Sequence, residues 1–471
     1  MSALREAEPV RAVAAALAGE EAWLVGGILR DALLGRDLRD VDVAVAGDPA
    51  AAARNVAKAL GGPVFSLSEA FGAWRAMDRA RRYTCDFSPL QGATIEDDLA
   101  RRDFTVNAMA VPIAGGSTID PHGGEADLAR RRLRVLGASA YEQDPLRVLR
   151  AVRLVAELGI EPDAENERLT AAAAPRLDRP SPERVFAELR RLVIAPGVLD
   201  GLALAERLGV LGATMPELTD LEGIEQSRFY HLDVFDHTID VLRRLIELTE
   251  DLGSLFGQLA PRVEAVLAEP LGDGLSRGQA LRFAALLHDV AKPATRGVRT
   301  DGRVTFVGHD SAGDEMVGRI FRRLRASERV RSFVGKLTRE HLALGFLVHE
   351  RPVSKRAVHA FLRRCEPVEV ELILLSCADR MANRGEGQEP WIAAHLELGR
   401  ELMQAALRWR EAGPPRALLR GDDLAGELGI EPGPELGALL AEIEKAAYAG
   451  EASTRDEALA LVRRLRQNQR R

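Results

Sequence analysis

The amino-acid sequence predicts an α+β protein in which an N-terminal α/β segment is followed by helices. Short apolar segments typical of strands occur early in the chain, at residues 22–25, 41–45, 73–78 and 81–87. From about residue 138 onward, Leu, Val and Ala recur at the three- and four-residue spacing of amphipathic helices. The length of 471 residues exceeds what one ordinary core holds, so several domains are expected.

Breaks rich in Pro and Gly divide the chain further. Such residues end helices and mark loops, and they cluster at 175–182, 216–228 and 385–389. We therefore predict four domains, which we name the head (1–137), the neck (138–224), the middle domain (225–385) and the tail (386–471). The head is expected to be α/β and the other three domains to be α-helical.

The composition excludes two classes of protein. No segment approaches the roughly 20 uncharged apolar residues that a membrane helix needs, so we expect no membrane partner. The three cysteines, Cys85, Cys365 and Cys377, have the spacing of neither a disulfide framework nor a zinc knuckle. A reducing, cytoplasmic location is therefore expected.

The charge pattern bears on RNA binding. A net charge of −7 is unfavourable for it, because phosphate contacts depend on Lys and Arg. Only Glu142 and Asp144 oppose a basic block at Arg130, Arg131, Arg132, Arg134, Arg147, Arg150 and Arg153. This block suits RNA, although by charge alone a solvated helical face is the simpler interpretation.

The segment from Leu24 to Val45 contains the first candidate site. Gly26 and Gly27 follow a buried strand and precede a helix, so backbone N–H groups can approach a triphosphate at the start of that helix. Two glycines alone would be a weak signal.

Two carboxylates on the next predicted strand strengthen this interpretation. Side chains alternate across a strand, so Asp40 and Asp42 share one face. Adjacent carboxylates repel each other unless cations join them. Such a pair suits two Mg²⁺ ions, one activating an attacking hydroxyl and one holding a leaving pyrophosphate. A solvated acidic strand end paired with a nearby arginine is the alternative, which the adjoining Gly-Gly and Arg30-Asp31 make less favourable.

A third motif follows at Arg101 to Ala108 (RRDFTVNA). Arg101 and Arg102 suit bidentate phosphate binding or stacking on a base, and Asp103 and Asn107 suit ribose hydroxyls. Helix capping or salt bridging is the alternative role for these side chains.

Together these motifs resemble those of class II tRNA nucleotidyltransferases and bacterial poly(A) polymerases. Both families share the Gly-Gly…Arg-Asp…Asp-x-Asp signature and the Arg-Arg-Asp-Phe-Thr-x-Asn-Ala block, and segments 120–128 and 144–150 extend the match. The resemblance implies a nucleotidyltransferase head of the DNA polymerase β type, followed by an all-α neck, middle domain and tail. The tail resembles the helical body that grips tRNA in this family.

The resemblance also implies roles for individual residues. Asp40 and Asp42 would hold Mg²⁺, with Asp86 as a candidate third carboxylate, and Asp144 and Arg147 would read the incoming base as a protein template. The nucleotide-binding set implied in this way is Gly26, Gly27, Arg30, Arg101, Arg102, Asp103, Asn107, Asp144, Arg147, Arg150 and Arg153.

Two departures from the family pattern concern the choice of nucleotide. The family usually has Glu immediately before Asp144, where this chain has Gln143. Only the segment Ser88 to Glu96 separates the strand of Asp86 from the helix that leads to Arg101. Relatives that add all of CCA, or only the final A, tend to carry a longer mobile loop there, and CC-adding relatives have a shortened one.

The middle domain contains a second candidate metal site. The segment Leu281 to Lys292 ends an apolar helix in His288-Asp289. With His237 upstream and Asp379 downstream, it resembles the H…HD…D pattern of the HD phosphohydrolase superfamily. The candidate ligands are His237, His288, Asp289 and Asp379, with His309 and His341 as possible ligands of a second metal. A single His in an apolar helix is more often a core residue, but four candidates in this order favour a metal such as Mn²⁺, Ni²⁺ or Fe²⁺.

These observations predict an enzyme that adds C and/or A residues of the CCA end to tRNA from CTP and ATP, with release of pyrophosphate and an accessory HD phosphohydrolase activity. The nearest alternatives are a poly(A) polymerase that acts on general RNA 3′ ends and an enzyme that adds CC only. A metal-dependent HD phosphohydrolase with an RNA-binding head is the alternative from another class. The oligomeric state is left open.

Overall fold

The computed structural model describes residues 2–69, 72–226, 232–383 and 387–469. The chain divides into two compact units, residues 1–214 and 215–471. The predicted boundary at 385/386 lies outside the described residues, and the division into four domains remains a prediction.

The first unit combines helices and strands. Its α-helices are Ser2–Glu6 (α1), Glu8–Ala16 (α2), Gly27–Leu33 (α3), Pro49–Leu60 (α4), Ile95–Leu99 (α5), Gly124–Ala129 (α6), Ala138–Gln143 (α7), Leu146–Leu158 (α8), Ala164–Ala173 (α9), Pro182–Ile194 (α10), Val198–Arg207 (α11) and Val210–Thr214 (α12). Its strands are Ala22–Val25 (β1), Asp40–Val45 (β2), Val64–Ser68 (β3), Ala73–Met77 (β4), Thr84–Pro89 (β5), Ala110–Pro112 (β6), Arg132–Leu133 (β7) and Glu161–Pro162 (β8). Short 3₁₀ turns are Thr105–Asn107 and Ala174–Asp178.

Six of these strands form the sheet of the head, in the order β3-β4-β5-β2-β1-β6. Strands β2 and β5 run parallel, and the other neighbours run antiparallel. The four predicted strands are present, although the fourth begins at Thr84 rather than at residue 81. The sequence analysis missed β3 and β6. Strand β3 is a mostly exposed edge strand and β6 has three residues, so neither shows a clear apolar pattern.

Side chains alternate between two faces along β2 and thereby position the candidate site. Val41, Val43 and Val45 pack into a core with α1, α2 and α4. Ala44 packs into a second, smaller core on the other face. Because side chains alternate across a strand, Asp40 and Asp42 lie on the face of Ala44, as predicted.

The second unit is mainly helical. Its α-helices are Pro216–Thr219 (α13), Val234–Glu250 (α14), Leu252–Phe256 (α15), Ala260–Ala268 (α16), Arg277–Leu287 (α17), Lys292–Thr295 (α18), His309–Arg323 (α19), Glu328–Glu340 (α20), Ala343–Leu347 (α21), Lys355–Cys365 (α22), Glu369–Ala382 (α23), Glu389–Ala412 (α24), Gly421–Leu428 (α25), Pro434–Ala449 (α26) and Arg455–Gln469 (α27). Its 3₁₀ turns are Gly257–Leu259 and Val348–Glu350. Its strands are Pro270–Gly272 (β9), Leu275–Ser276 (β10), Arg296–Val298 (β11) and Val304–Phe306 (β12).

Two small hairpins correct the expectation of a purely helical chain after residue 138. Strand β9 pairs with β10 and β11 with β12, both antiparallel. Their strands have two or three residues, which is too short for a periodic signal in the sequence. Among the described helices, none has both the length and the apolar character needed to cross a membrane.

Candidate active site and metal-binding cluster

The turn between β1 and α3 requires glycine. Gly26 has a φ of +74°, a conformation that residues with a Cβ rarely adopt. A Cβ there would lie 3.1 Å from both the Arg102 Nη1 atom and the Asp42 Oδ2 atom. The absence of a side chain at Gly26 therefore lets the Arg102 guanidinium and the Asp42 carboxylate approach the backbone closely.

The Asp40 and Asp42 side chains form the acidic part of the site. Burial raises the pKa of Asp42 to about 6, and the Asp86 and Asp40 carboxylates add to this effect, while Arg102 and Arg30 oppose it. The Thr84 hydroxyl donates to Asp40. Carboxylates that repel each other in this way fit a hard divalent cation, because the cation offsets both charges and prefers oxygen ligands.

Asp86 lies next to Asp42, its register partner across β2 and β5. Both of its carboxylate oxygens accept hydrogen bonds from Arg75, at 2.6 Å each. Its predicted role as a third metal-binding carboxylate therefore competes with this bidentate ion pair, and it stays a prediction.

A cavity of about 350 Å³ opens beside the two aspartates. Of the predicted site residues, the wall contains Gly26, Gly27, Arg30, Asp40, Asp42, Arg102, Asp103, Asn107, Arg147, Arg150 and Arg153. The predicted residues Asp86, Arg101 and Asp144 are not among its lining side chains. The sequence motifs thus converge on one cavity, which three of the predicted residues only flank.

A chain of hydrogen bonds connects the motifs around this cavity. Arg30 donates to the Asn107 Oδ1 atom at 2.7 Å, and the Asn107 amide donates to Asp103 at 2.9 Å. Asp103 also accepts from Arg150 at 2.9 Å. Burial alone would raise the pKa of Asp103, but Arg150 and the Asn107 hydrogen bond outweigh it and hold that pKa at about 2. Asp103 is therefore ionised throughout the physiological range.

The residues predicted to read the base are held by protein groups. Asp144 accepts a hydrogen bond from Arg184 at 2.7 Å. Arg147 donates to the main-chain carbonyls of Arg101 and Ala140, at 3.1 and 3.2 Å. Both side chains retain polar atoms that suit the edge of a base, and carbonyl contacts orient Arg147 without neutralising it.

Sequence reasoning missed Glu188, which is buried on α10. One of its carboxylate oxygens accepts from Arg150 at 3.1 Å, and the other accepts from Arg153. The signal in the sequence was its helical spacing, three residues after Val185 and four before Leu192, which places a Glu on the apolar face of α10. Arg75, Asp98 and Arg184 were missed as well, because each acts by pairing with a residue of a predicted motif.

The segment between β5 and α5 is shorter than expected, and hydrogen bonds hold it in place. It comprises residues 90–94, since β5 extends to Pro89 and α5 begins at Ile95. Thr94 and Asp97 form a reciprocal capping box at the start of α5. The buried Asp98 accepts from the Gln91 N–H at 3.1 Å and from Arg102 at 2.8 Å. One carboxylate thus connects this segment to a cavity arginine.

The middle domain brings the predicted histidines and aspartates together. The Nδ1 atoms of His288, His309 and His341 lie 2.9, 2.7 and 2.6 Å from the main-chain carbonyls of Ala285, Phe306 and Thr338. A carbonyl only accepts, so each Nδ1 carries the hydrogen when the ring is neutral. The Nε2 lone pairs are then available to a metal.

These Nε2 atoms converge on Asp289. Its carboxylate oxygens lie 3.1 Å from His288, 3.3 Å from His309 and 3.8 Å from His341. His237 lies 3.9 Å from Asp289 and 3.1 Å from Asp379. Two groups have metal-ligand spacing, His237-His288-Asp289 and Asp289-His309-His341. This set of imidazoles and carboxylates fits divalent transition metals.

The pKa values of two histidines in this cluster shift in opposite directions. Burial lowers the pKa of His341 to about 4, which keeps its imidazole neutral. Burial also lowers the pKa of His288, but the adjacent Asp289 outweighs burial and raises it. Lys292, which sequence reasoning did not single out, lies 2.6 Å from Asp289 and donates to Gln226 at 2.7 Å. A divalent cation bound in the cluster would be a further positive partner for the Asp289 carboxylate.

Two family profiles match the chain. Residues 22–134 match the Poly A polymerase head domain, and residues 234–384 match the HD domain. The first match covers Asp40, Asp42 and Asp103 of the head cavity, and the second covers the histidine cluster.

Curated relatives match along nearly the whole chain. The A-adding tRNA nucleotidyltransferase of Deinococcus radiodurans is 37% identical, over 94% of this chain and 95% of its own. The CC-adding tRNA nucleotidyltransferase of Thermus thermophilus is 36% identical, over 94% of this chain and 93% of its own.

Solved structures share the fold. A CCA-adding enzyme in complex with CTP superposes with a TM-score of 0.63 at 20% identity, over 98% of this chain and 97% of the other. The Thermotoga maritima CCA-adding enzyme in complex with tRNA has a TM-score of 0.59 at 20% identity, over 98% of this chain and 97% of the other. With relatives above 30% identity over more than nine-tenths of its length, the chain belongs to the tRNA nucleotidyltransferase family.

Proposed function

We propose that this protein adds cytidines of the CCA end to the 3′ terminus of tRNA, using CTP and releasing pyrophosphate. The observation that carries the proposal is the head cavity, where the Asp40 and Asp42 pair faces a row of arginines from the head and the neck. An acidic pair beside several guanidinium groups suits a nucleoside triphosphate with its metal ions.

The residues divide the reaction between them. Asp40 and Asp42 would hold Mg²⁺, which supplies activation of the attacking hydroxyl and offsets charge on the leaving group. Arg30 and Arg102 would bind the triphosphate, and Asp103 with Asn107 would position the ribose. The tRNA 3′ oxygen attacks the α-phosphorus, the bond to the β-phosphate oxygen breaks, and pyrophosphate leaves. Positioning and charge supply the catalysis.

The proposed template is the pair of Asp144 and Arg147 on the neck. A carboxylate acceptor and a guanidinium donor can pair with the polar edge of cytosine. Arg184 and the main-chain carbonyls around Arg147 hold the two groups in place. The orienting role that Glu has before this Asp in the family would pass here, in part, to Arg184, since the chain has Gln143.

The short segment 90–94 favours CC addition. A switch from CTP to ATP requires the nucleotide site to rearrange. Here the segment has five residues and is joined through Asp98 to Arg102, which opposes movement of the cavity wall. Addition of the final A is the second candidate, favoured by the 37% identical A-adding relative.

Nucleotide incorporation tests the proposal. Labelled CTP and ATP are supplied separately and together to tRNAs that end before CCA, after C and after CC, with an unstructured RNA as control. Incorporation of one or two C residues into the first two tRNAs only is the expected result. A-addition to the third tRNA would support the second candidate, and ATP tails on every RNA would indicate a poly(A) polymerase. No incorporation at all would contradict the proposal and leave an RNA-binding head.

We further propose that the histidine cluster binds Mn²⁺, Ni²⁺ or Fe²⁺ and hydrolyses a phosphomonoester or a 2′,3′-cyclic phosphate at an RNA end. The convergent Nε2 atoms around Asp289 support this activity. Metal-dependent phosphate release from the phosphomonoester, or opening of the cyclic phosphate to a phosphomonoester, that is lost in His288→Ala and kept in Asp42→Asn is the expected result. Release that persists in His288→Ala would contradict it. The tail is proposed to contact tRNA, and the location to be cytoplasmic.

A further inference from the structure

The cavity beside the histidine cluster has two chemically different parts. It measures about 300 Å³, and its polar part contains Asp289, His309, His341 and Asp379. Much of the remaining wall is formed by three apolar residues, which are Val304 and Phe306 on β12 and Val307 directly after it. Binding of a phosphate group alone requires only the polar part. The apolar part therefore indicates a larger ligand with a flat, weakly polar group.

The apolar wall belongs to the β11–β12 hairpin. Val307 is 80% exposed although it lines the cavity, so its side chain forms an uncovered apolar rim. The Phe306 ring lies within 5.4 Å of the Lys292 Nζ atom, and Lys292 in turn lies 2.6 Å from Asp289. The aromatic ring is thereby placed close to the metal-ligand cluster.

The same hairpin is basic on its outside. Arg296, Arg299 and Arg303 are all exposed, and within the hairpin Asp301 pairs with Arg303 at 3.4 Å. A half-buried aromatic ring and an exposed aliphatic side chain beside several arginines form the combination that single-stranded nucleic acid uses for base stacking and phosphate contacts. A small phosphomonoester without a base would contact neither feature.

We propose that the β11–β12 hairpin is a nucleobase platform, so that this cavity takes the 3′-terminal phosphorylated nucleotide of an RNA chain. The terminal base packs on Phe306 and Val307, its phosphate reaches the histidine cluster, and preceding phosphates follow the arginines. The inference rests on the hydrolysis proposed above. Water adds to phosphorus, the phosphorus–oxygen ester bond breaks, the ribose oxygen leaves as a hydroxyl after taking a proton, and inorganic phosphate is released.

The test compares two substrates on the full-length protein loaded with Mn²⁺. One is a short RNA with a 3′-phosphate, and the other is the same RNA with an abasic terminal nucleotide. The platform variants are Phe306→Ala and Val307→Asp, the second at a side chain too exposed to affect folding. Val298→Ala is the matched control, because Val298 is 60% exposed on the same hairpin and is not among the cavity's lining residues.

For the wild type, we expect a lower KM for the RNA that carries the terminal base than for the abasic RNA. Both platform variants should raise that KM about tenfold or more, leave kcat within about twofold, and leave the abasic substrate unaffected. Val298→Ala should behave as the wild type. Equal KM values for the two substrates, or an equal effect of the variants on both, would overturn the platform while leaving the hydrolysis intact.

If neither substrate is hydrolysed, the proposed hydrolysis fails and binding decides the platform separately. Fluorescence anisotropy of the labelled 3′-phosphorylated RNA is then compared between the wild type and Phe306→Ala. The wild type and the variant have the same head, so RNA bound by the head does not contribute to a difference between their Kd values. Weaker binding by Phe306→Ala, with no change in Val298→Ala, supports the platform, and equal Kd values overturn it.

Discussion

The Asp42 carboxylate is held in an environment that disfavours its charge. Burial and the Asp86 and Asp40 carboxylates raise its pKa to about 6, and two arginines offset only part of this effect. An acidic residue kept in such surroundings indicates that function, and not stability, determines its identity. Perturbed carboxylates of this kind are typical of metal-dependent active sites.

Asp42→Asn should therefore separate activity from stability. We expect kcat for CTP incorporation to fall by about a hundredfold or more, because the metal ions lose a ligand. The urea midpoint should be unchanged or higher, since an amide avoids the repulsion among the carboxylates. Asp37→Asn is the control, because Asp37 is an exposed carboxylate shortly before β2. Full activity in Asp42→Asn would refute the assigned role.

Glu369 is a second residue whose charge is disfavoured, and it lies outside both candidate sites. It is 2% exposed at the start of α23, and its Oε2 atom has no hydrogen-bond partner among the described residues. Burial raises its pKa from 4.5 to about 7, with a further contribution from Glu371. The folded protein therefore holds an extra proton between these two pH values, and stability should decrease as the pH rises through that range.

Glu369→Gln should remove this pH dependence. At pH 8 the variant should be more stable than the wild type by on the order of 3 kcal/mol, and at pH 4 the two should be equal. Urea unfolding at both pH values measures the difference. Glu389→Gln, at an exposed Glu in the first turn of α24, should show no such pH dependence. A constant difference between Glu369→Gln and wild type would contradict the raised pKa.

At the scale of elements, the packing of α8 against α10 positions the cavity arginines. Arg150 and Arg153 on α8 both form ion pairs with Glu188 on α10, and Arg150 forms a second ion pair with Asp103. The two helices are separated in the chain by a short strand, a helix and a 3₁₀ turn. Their contact therefore sets the direction in which the Arg150 guanidinium points.

Glu188→Gln should loosen this arrangement. Removing the buried carboxylate that two arginines share leaves each arginine with one other carboxylate, Asp103 or Glu157, so we expect a loss of about 3 kcal/mol in the free energy of unfolding. The KM for CTP should rise more than kcat falls, because Arg150 loses one of its two anchors. Glu183→Gln, at an exposed position of the same helix, is the matched control for both measurements. Wild-type values in Glu188→Gln would show that Asp103 alone orients Arg150.

At the scale of the whole molecule, each candidate site lies inside one compact unit. All residues that line the head cavity lie between Gly26 and Arg191, within residues 1–214. The histidine cluster and its cavity lie within residues 215–471. The described residues that line the nucleotide site thus all belong to the first unit.

A fragment of residues 1–214 should fold and bind CTP. We expect one cooperative urea transition, because the fragment contains its own buried cores. CTP with Mg²⁺ should raise its midpoint, and Asp42→Asn should abolish the Mg²⁺-dependent part of that increase. A fragment without a cooperative transition would show that the second unit is needed for folding.

Much of the fold and of the candidate site could be predicted from the sequence, because the relevant residues are recognised by their immediate neighbours in the chain. Gly26 follows a strand directly, Asp40 and Asp42 alternate on one strand, and His288-Asp289 ends an apolar helix. Local spacing decides which of these side chains share a face. Family motifs then placed the separate segments in one cavity.

Tertiary structure alone decided which charges pair across the chain. Glu188 holds two arginines 35 and 38 residues away, and Arg184 holds Asp144 from 40 residues away. The Arg75–Asp86 pair depends on the register of β4 with β5. The three imidazoles converge on Asp289 only because α17, α19 and α20 pack together. Such partners depend on helix packing and strand register, which local patterns in a single sequence do not encode.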